Sequence, residues 1–214
     1  MIVYWLLLIP IAAISYCTGS LSTISMGSMF YHKNLRKLGR GNKWLSNFHR
    51  IYGIKGIVTL LLIEVLRNLL PVLIGGWLMA IKDQAAAGRA FAGFCLVLGR
   101  LWPVFNHFHG SYGIGSLLIA GICIRPAAGF VSLLIFAFLL WRKRSMSMAV
   151  LVSTVIFVAS AMILIDENIV MTLCIFMGVM VLIKLVPKLV LHFRGEEEKL
   201  SFKEDISYKF DQKF

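Results

Sequence analysis

The stretch Leu38-Gly-Arg-Gly-Asn-Lys-Trp-Leu-Ser-Asn-Phe-His-Arg50 lies between two long apolar runs, and that placement decides the fold. It is the middle of a segment, residues 31–55, that carries seven cations (Lys33, Arg36, Lys37, Arg40, Lys43, Arg50 and Lys55) and no acid. A basic loop between apolar segments marks a chain that crosses a membrane and turns back at an anionic surface. Composition agrees. Hydrophobic residues make up 59% of the chain and charged residues only 15%, with a mean hydropathy of +0.82, beyond what a soluble domain of 214 residues carries. The formal net charge of +12 does not point to nucleic acid, because the cations sit in short loops rather than on a soluble basic face. The anion they meet is expected to be a lipid head group or a phosphorylated substrate.

A spanning helix needs about 20 apolar residues to cross about 30 Å of hydrocarbon. Apolar runs lie near 2–30, 55–81, 88–105, 111–124, 126–141, 146–165 and 168–193. The expected fold is therefore all-α, a polytopic bundle of seven transmembrane helices. Arg125-Pro126 splits the fourth run from the fifth, since a proline behind a charge ends a helix more readily than it kinks one. Two short helices are expected there, with one long kinked element as the alternative.

Orientation follows from the loop charges. The 31–55 segment, Arg142-Lys143-Arg144 and the end of the last run, with Lys184, Lys188 and Arg194, are basic and belong inside. The alternate connections are poor in cations: Lys82 and Arg89 flank Asp83, Arg125 stands alone, and Asp166-Glu167 is acidic. This places the N-terminus out and the C-terminus in, which an odd number of spans satisfies. The first run lacks the basic start of a secretory signal and is too long for one, so it reads as a retained span. Residues 1–194 are expected to form one integral membrane domain, and 195–214, with six acids, a charged cytosolic tail. Cys17, Cys95, Cys123 and Cys174 each fall inside an apolar run without metal-like spacing and read as small buried hydrophobes. His107 and His109 are too weakly spaced for a metal site, and no cofactor is expected.

Several segments in one order resemble the PlsY-type acyl-phosphate:glycerol-3-phosphate acyltransferases, bacterial inner-membrane enzymes that start phospholipid synthesis. Gly19-Ser20-Leu21-Ser22 is similar to that family's Gly-Ser-Ile-Pro. Leu35-Arg36, Gly41-Asn42, Asn47, Arg50 and Gly53 follow its Ile-Arg, Gly-Ser-Gly-Asn, Gly-Ala-Thr-Asn and Arg-x-x-Gly sequence. Glu64-Val-Leu-Arg67 stands where it has Asp-x-x-Lys-Gly, and Gly99 to Gly113 resembles its Gly-His-x-x-Pro-x-Phe-x-x-Phe-x-Gly-Gly-Lys-Gly. Arg194-Gly-Glu-Glu-Glu-Lys199 looks like its closing Gly-x-Glu. The resemblance implies the same seven-span, N-out arrangement.

Acyl transfer from an acyl phosphate to a hydroxyl needs a cradle for phosphate, donors for a developing oxyanion and a proton acceptor. The resemblance implies that Gly41, Asn42, Asn47, Arg50, Gly99, Gly110 and Gly113 bind substrate or phosphate. It also shows replacements. The family's cradle serine, lysine and histidine correspond to Arg40, Tyr112 and Leu185, its closing asparagine to Lys188, and the histidine of Gly-His-x-x-Pro to Arg100. Arginine clamps phosphate bidentately where lysine acts as a point charge, so Arg40, Arg50 and Arg100 are candidates to keep a phosphate site. The catalytic candidates are Arg40, Arg100 and His49.

Each residue also has a structural reading. Loop cations hold anionic lipid at about 1 kcal/mol each, Arg100 can snorkel from the inner end of its span, and Asn42 and Asn47 suit turns. Glu64 and Arg67, three apart on one helix face, neutralise each other as a structural pair or contact substrate. Two functional classes remain. One is a membrane acyltransferase that uses an acyl phosphate or phospholipid and a phosphorylated acceptor. The other is a noncatalytic descendant that binds lipid or serves a protein partner. A transporter is disfavoured, because no matching, Gly- or Pro-interrupted halves are visible.

Overall fold

The computed structural model describes residues 2–23, 26, 44–143 and 145–194, leaving out the side chains of 2–5, 44–54, 57 and 143. Among these residues the regular structure is helical: α1 (Ile2–Ser20), α2 (Trp44–Ala80), α3 (Ala85–Leu101), α4 (Ile114–Ile124), α5 (Pro126–Lys143), α6 (Met146–Leu164) and α7 (Asn168–Phe193), with a 3-10 turn at Val104–Asn106. By length and composition four helical stretches can cross a membrane: 58–80, 85–106, 146–164 and 168–193. The apolar stretches 6–20, 114–124 and 126–142 are shorter. Trp77, Trp141, Ile163 and Phe193, all more than 70% exposed, point away from the bundle, as residues facing lipid do.

Arg125 breaks the chain as its sequence implies. It takes an extended backbone (φ −139°), ending α4, and Pro126 opens α5, where its missing N–H costs nothing. One expected boundary is corrected. The sequence places the basic segment in a loop through Lys55, yet α2 begins at Trp44 and carries Asn47, His49 and Arg50 on helix. At about 1.5 Å per residue, its 37 residues extend about 55 Å, well past the hydrocarbon. Leu, Lys and Arg are good helix formers outside the bilayer as well as within it, so the hydropathy edge marked the membrane rather than the helix end.

The bundle is organised on α3, which packs against α1, α2, α4 and α7, while α5 and α6 close the far side against α4 and α7. Glycine permits the two closest crossings. A Cβ on Gly99 would lie 2.3 Å from the Tyr16 carbonyl oxygen of α1, and one on Gly19 2.3 Å from that of Leu96. At the other end of α3 a Cβ on Gly88 would lie 2.4 Å from the Gly75 carbonyl oxygen of α2. Such small-residue contacts are how helices approach when lipid supplies no hydrophobic drive between them. The core then fills with Leu96, Leu101, Leu117, Phe157, Met177 and Leu185, each almost wholly buried. Cys95 and Cys174 are buried and Cys123 is partly so, but Cys17 is exposed on α1, a correction to the expectation that all four are internal. An apolar run carries no label for the side of the helix that faces outward.

Candidate functional site

Glu64 is the centre of a polar cluster that draws on four segments of the chain. Arg67 lies one turn further along α2, and its Nη2 donates to Glu64 Oε1 at 3.1 Å. Arg100, from the last turn of α3, donates through Nη2 to both carboxylate oxygens at 3.3 Å. Thr23, after α1, donates its hydroxyl to Glu64 Oε2 and accepts from Arg100 at 3.1 Å. Both arginines also donate to the Leu21 carbonyl. Asn68 Nδ2 donates to the Glu64 carbonyl at 2.8 Å, and its Oδ1 accepts from the α4 hydroxyl of Ser116 at 2.8 Å. Gly115 makes that approach possible, since a Cβ there would sit 3.1 Å from Glu64 Oε1.

Burial makes the cluster consequential. Asn68 and Ser116 are fully buried, and the side chains of Arg67, Glu64 and Arg100 are 1%, 13% and 15% exposed. One carboxylate faces two guanidiniums, leaving an excess of one positive charge in a weakly screened place. The bonds found for Arg100 all run into this cluster, which ties the ends of α1 and α3 to the middle of α2. Arg67 Nε is buried without a hydrogen-bond partner among the described residues. Among the described residues Arg67 is also the one charged residue lining a cleft of about 450 Å³ between α1 and α2, whose other walls include Ile14, Leu21, Ile63, Leu66 and Leu70.

A second feature adjoins the first through Arg100. The chain leaving α3 turns sharply at residues 102–113. Phe108 N–H donates to the Pro103 carbonyl at 2.9 Å, Asn106 Nδ2 to the His109 carbonyl at 2.6 Å, and His109 Nδ1 lies 2.7 Å from the His107 carbonyl. His107 and Phe108 both hold positive φ (50° and 59°), an arrangement that costs a non-glycine residue on the order of 1 kcal/mol or more. Gly110 lies against the end of α3, where a Cβ would come within 2.3 Å of the Arg100 carbonyl oxygen. Gly113, at φ +70°, opens α4. Tyr16 pins the turn to α1 by donating to the Trp102 carbonyl at 2.8 Å.

The structure thus brings together Glu64, Arg67 and Arg100, and gathers Gly99, Gly110 and Gly113 around the C-terminal end of α3. Gly99 itself is spent on the contact with α1. Asn47, His49 and Arg50 lie on the first turns of α2, their side chains outside the described residues, and Arg40, Gly41 and Asn42 lie outside them altogether. Leu185, which the resemblance implies stands in place of a histidine, is buried in the apolar core. Thr23, Asn68 and Ser116 escaped sequence reading. One signal was present: Glu64 is the only acid in the first 82 residues, so any arginine drawn inside this half had to meet it.

The family model for glycerol-3-phosphate acyltransferase matches residues 9–192. The chain is 31% identical over 150 residues to a glycerol-3-phosphate acyltransferase of Streptococcus pyogenes, covering 70% of this chain and 68% of that one. It is 28% identical over 148 residues to that of Thermoanaerobacter pseudethanolicus, covering 69% and 72%. The crystal structure of PlsY, an integral membrane glycerol 3-phosphate acyltransferase, in its glycerol 3-phosphate form superposes with a TM-score of 0.72 at 23% identity, over 91% of this chain and 96% of that one. The two share a fold.

Proposed function

Since the chain belongs to the glycerol-3-phosphate acyltransferase family, we propose that it is a membrane acyltransferase of phospholipid biosynthesis with an altered acceptor site. It moves an acyl chain from acyl phosphate to the hydroxyl of a phosphorylated glycerol-type acceptor. The observation that carries this reading is an apolar cleft lined at one place by Arg67, beside a cluster with an excess positive charge. An acyl chain suits the cleft, and a phosphate suits the basic inner end of the bundle. In this reading residues 1–194 cross the bacterial inner membrane seven times with the N-terminus out, and 195–214 lie in the cytosol.

Gly41, Asn42, Asn47 and Arg50 supply the phosphate cradle with Gly110 and Gly113. Asn47 and Arg50, three residues apart on α2, fall on one helix face. His49, on the same turns, is the candidate proton acceptor. Arg100 positions the α3 end by holding Glu64. A noncatalytic, lipid-binding descendant is the second reading, favoured by Leu185, which puts an apolar core residue where the family has histidine.

The test uses purified protein in lipid nanodiscs, labelled acyl phosphate and a panel of glycerol-type phosphates. Acylation of at least one acceptor, abolished by R50Q and little changed by K33Q, is the expected result. No acyl product from any acceptor would leave the noncatalytic reading.

A further inference from the structure

Lys184 and Lys188 lie one turn apart on α7, beside the buried Leu185. Lys184 Nζ stands 5.4 Å from the centroid of the Trp102 ring, and Lys188 Nζ 5.8 Å from that of Tyr112. Those rings come from either side of the tight turn between α3 and α4, so two ammonium groups of one helix lie along a single wall of that turn. Both lysines are half-buried, and among the described residues neither meets a carboxylate.

Like charges at this spacing repel each other. An aromatic face attracts an ammonium but carries no net charge to cancel it. A bridging dianion does cancel the pair, and a phosphate oxygen accepts from each ammonium while the rings exclude water from one side. Arg67 and Arg100 both bond Glu64 and share its one negative charge, whereas Lys184 and Lys188 have no carboxylate partner among the described residues.

We propose that Lys184 and Lys188, backed by Trp102 and Tyr112, form a binding site for a phosphomonoester dianion. The dianion belongs to a soluble polyol phosphate or to a lipid head group, and the choice of phosphomonoester over other anions rests on the acyltransferase reading. Position 112 itself supplies no cation here. The charge arrives from α7 instead, so the phosphate sits displaced toward that helix, and binding survives a change that alters which acceptor hydroxyl is well placed.

The full chain in phosphatidylcholine nanodiscs is titrated with glycerol 3-phosphate, and separately tested for retention of phosphatidic acid included in the disc. K184Q/K188Q is expected to weaken at least one probe by about tenfold or more, K184R/K188R to stay within about threefold of the unmodified chain, and K82Q to change neither. Loss with the soluble probe alone assigns an acceptor phosphate; loss with phosphatidic acid alone assigns a lipid head group. Unchanged binding of both probes by K184Q/K188Q would overturn the proposal, as would equal loss in K184R/K188R. Should the double variant fail to fold, K184Q and K188Q singly carry the same comparison. Turnover is not part of the readout, so lysine-dependent binding without acyl transfer removes only the acyltransferase reading. Lysine-independent binding with intact transfer removes only this site.

Discussion

At Glu64 one carboxylate serves two arginines, so removing the acid and removing an arginine are not equivalent. Counting one negative and two positive groups, the cluster carries +1. E64Q raises it to +2 in a buried place, whereas R100Q lowers it to zero. Removing one partner of a buried pair costs about 3–5 kcal/mol because the other charge stays behind, and E64Q is expected to fall near that range in thermal unfolding of the protein in nanodiscs. R100Q should cost clearly less. Equal losses would mean that the cluster is held by hydrogen bonds alone. The Glu64–Arg67 half of this arrangement was legible, because spacing of three fixes both residues on one helix face. The Arg100 half was not, since an arginine at a helix end reads equally well as snorkelling to water, and only the shortage of acids argued that it turns inward.

Helix α3 depends on glycine where another backbone meets it. A Cβ at Gly99 confronts a carbonyl oxygen at 2.3 Å, which no rotamer change relieves, whereas a Cβ at Gly76 meets the flexible Arg89 side chain at 2.6 Å. G99A is therefore expected to destabilise by about 1–3 kcal/mol and to separate α1 from the end of α3. G76A should be nearly neutral. Hydrogen exchange of the Trp102–Gly113 turn reads the same event: G99A should speed it and G76A should not. A comparable loss from both variants would contradict the close crossing. The helices themselves were legible from apolar runs, and the break at Arg125-Pro126 from the chemistry of proline. The N-terminal end of α2 was not, because apolar periodicity reports contact with lipid and core, and a helix longer than the bilayer is thick loses that signal while keeping its hydrogen bonds.

Across the whole molecule, the basic ends of the helices and the polar cluster imply one chemically active side. In a Cys-free background, a cysteine at position 43 should be labelled only from the inner side and one at position 82 only from the outer side. Labelling of position 43 from outside alone would reverse the orientation. The family was legible in the sequence because its motifs are spread from Gly19 to Lys199, and the all-helical fold bears out the reading. The resemblance implies substitutions in the cradle at Arg40, Tyr112 and Leu185, but where a cation could replace the lost ones was not legible, since that is a property of packing between α7 and the α3–α4 turn. Single phosphate or oxyanion contacts commonly contribute about 3–4 kcal/mol in the transition state, so if the family's set is lost as the resemblance implies, turnover is expected to fall by several orders of magnitude. The decisive quantity is the rate of glycerol 3-phosphate acylation by acyl phosphate in nanodiscs, for the unmodified chain and for R40S/Y112K. The unmodified chain should turn over slowly or not at all, with a large gain in R40S/Y112K; robust acylation by the unmodified chain would show that the site is not altered in function.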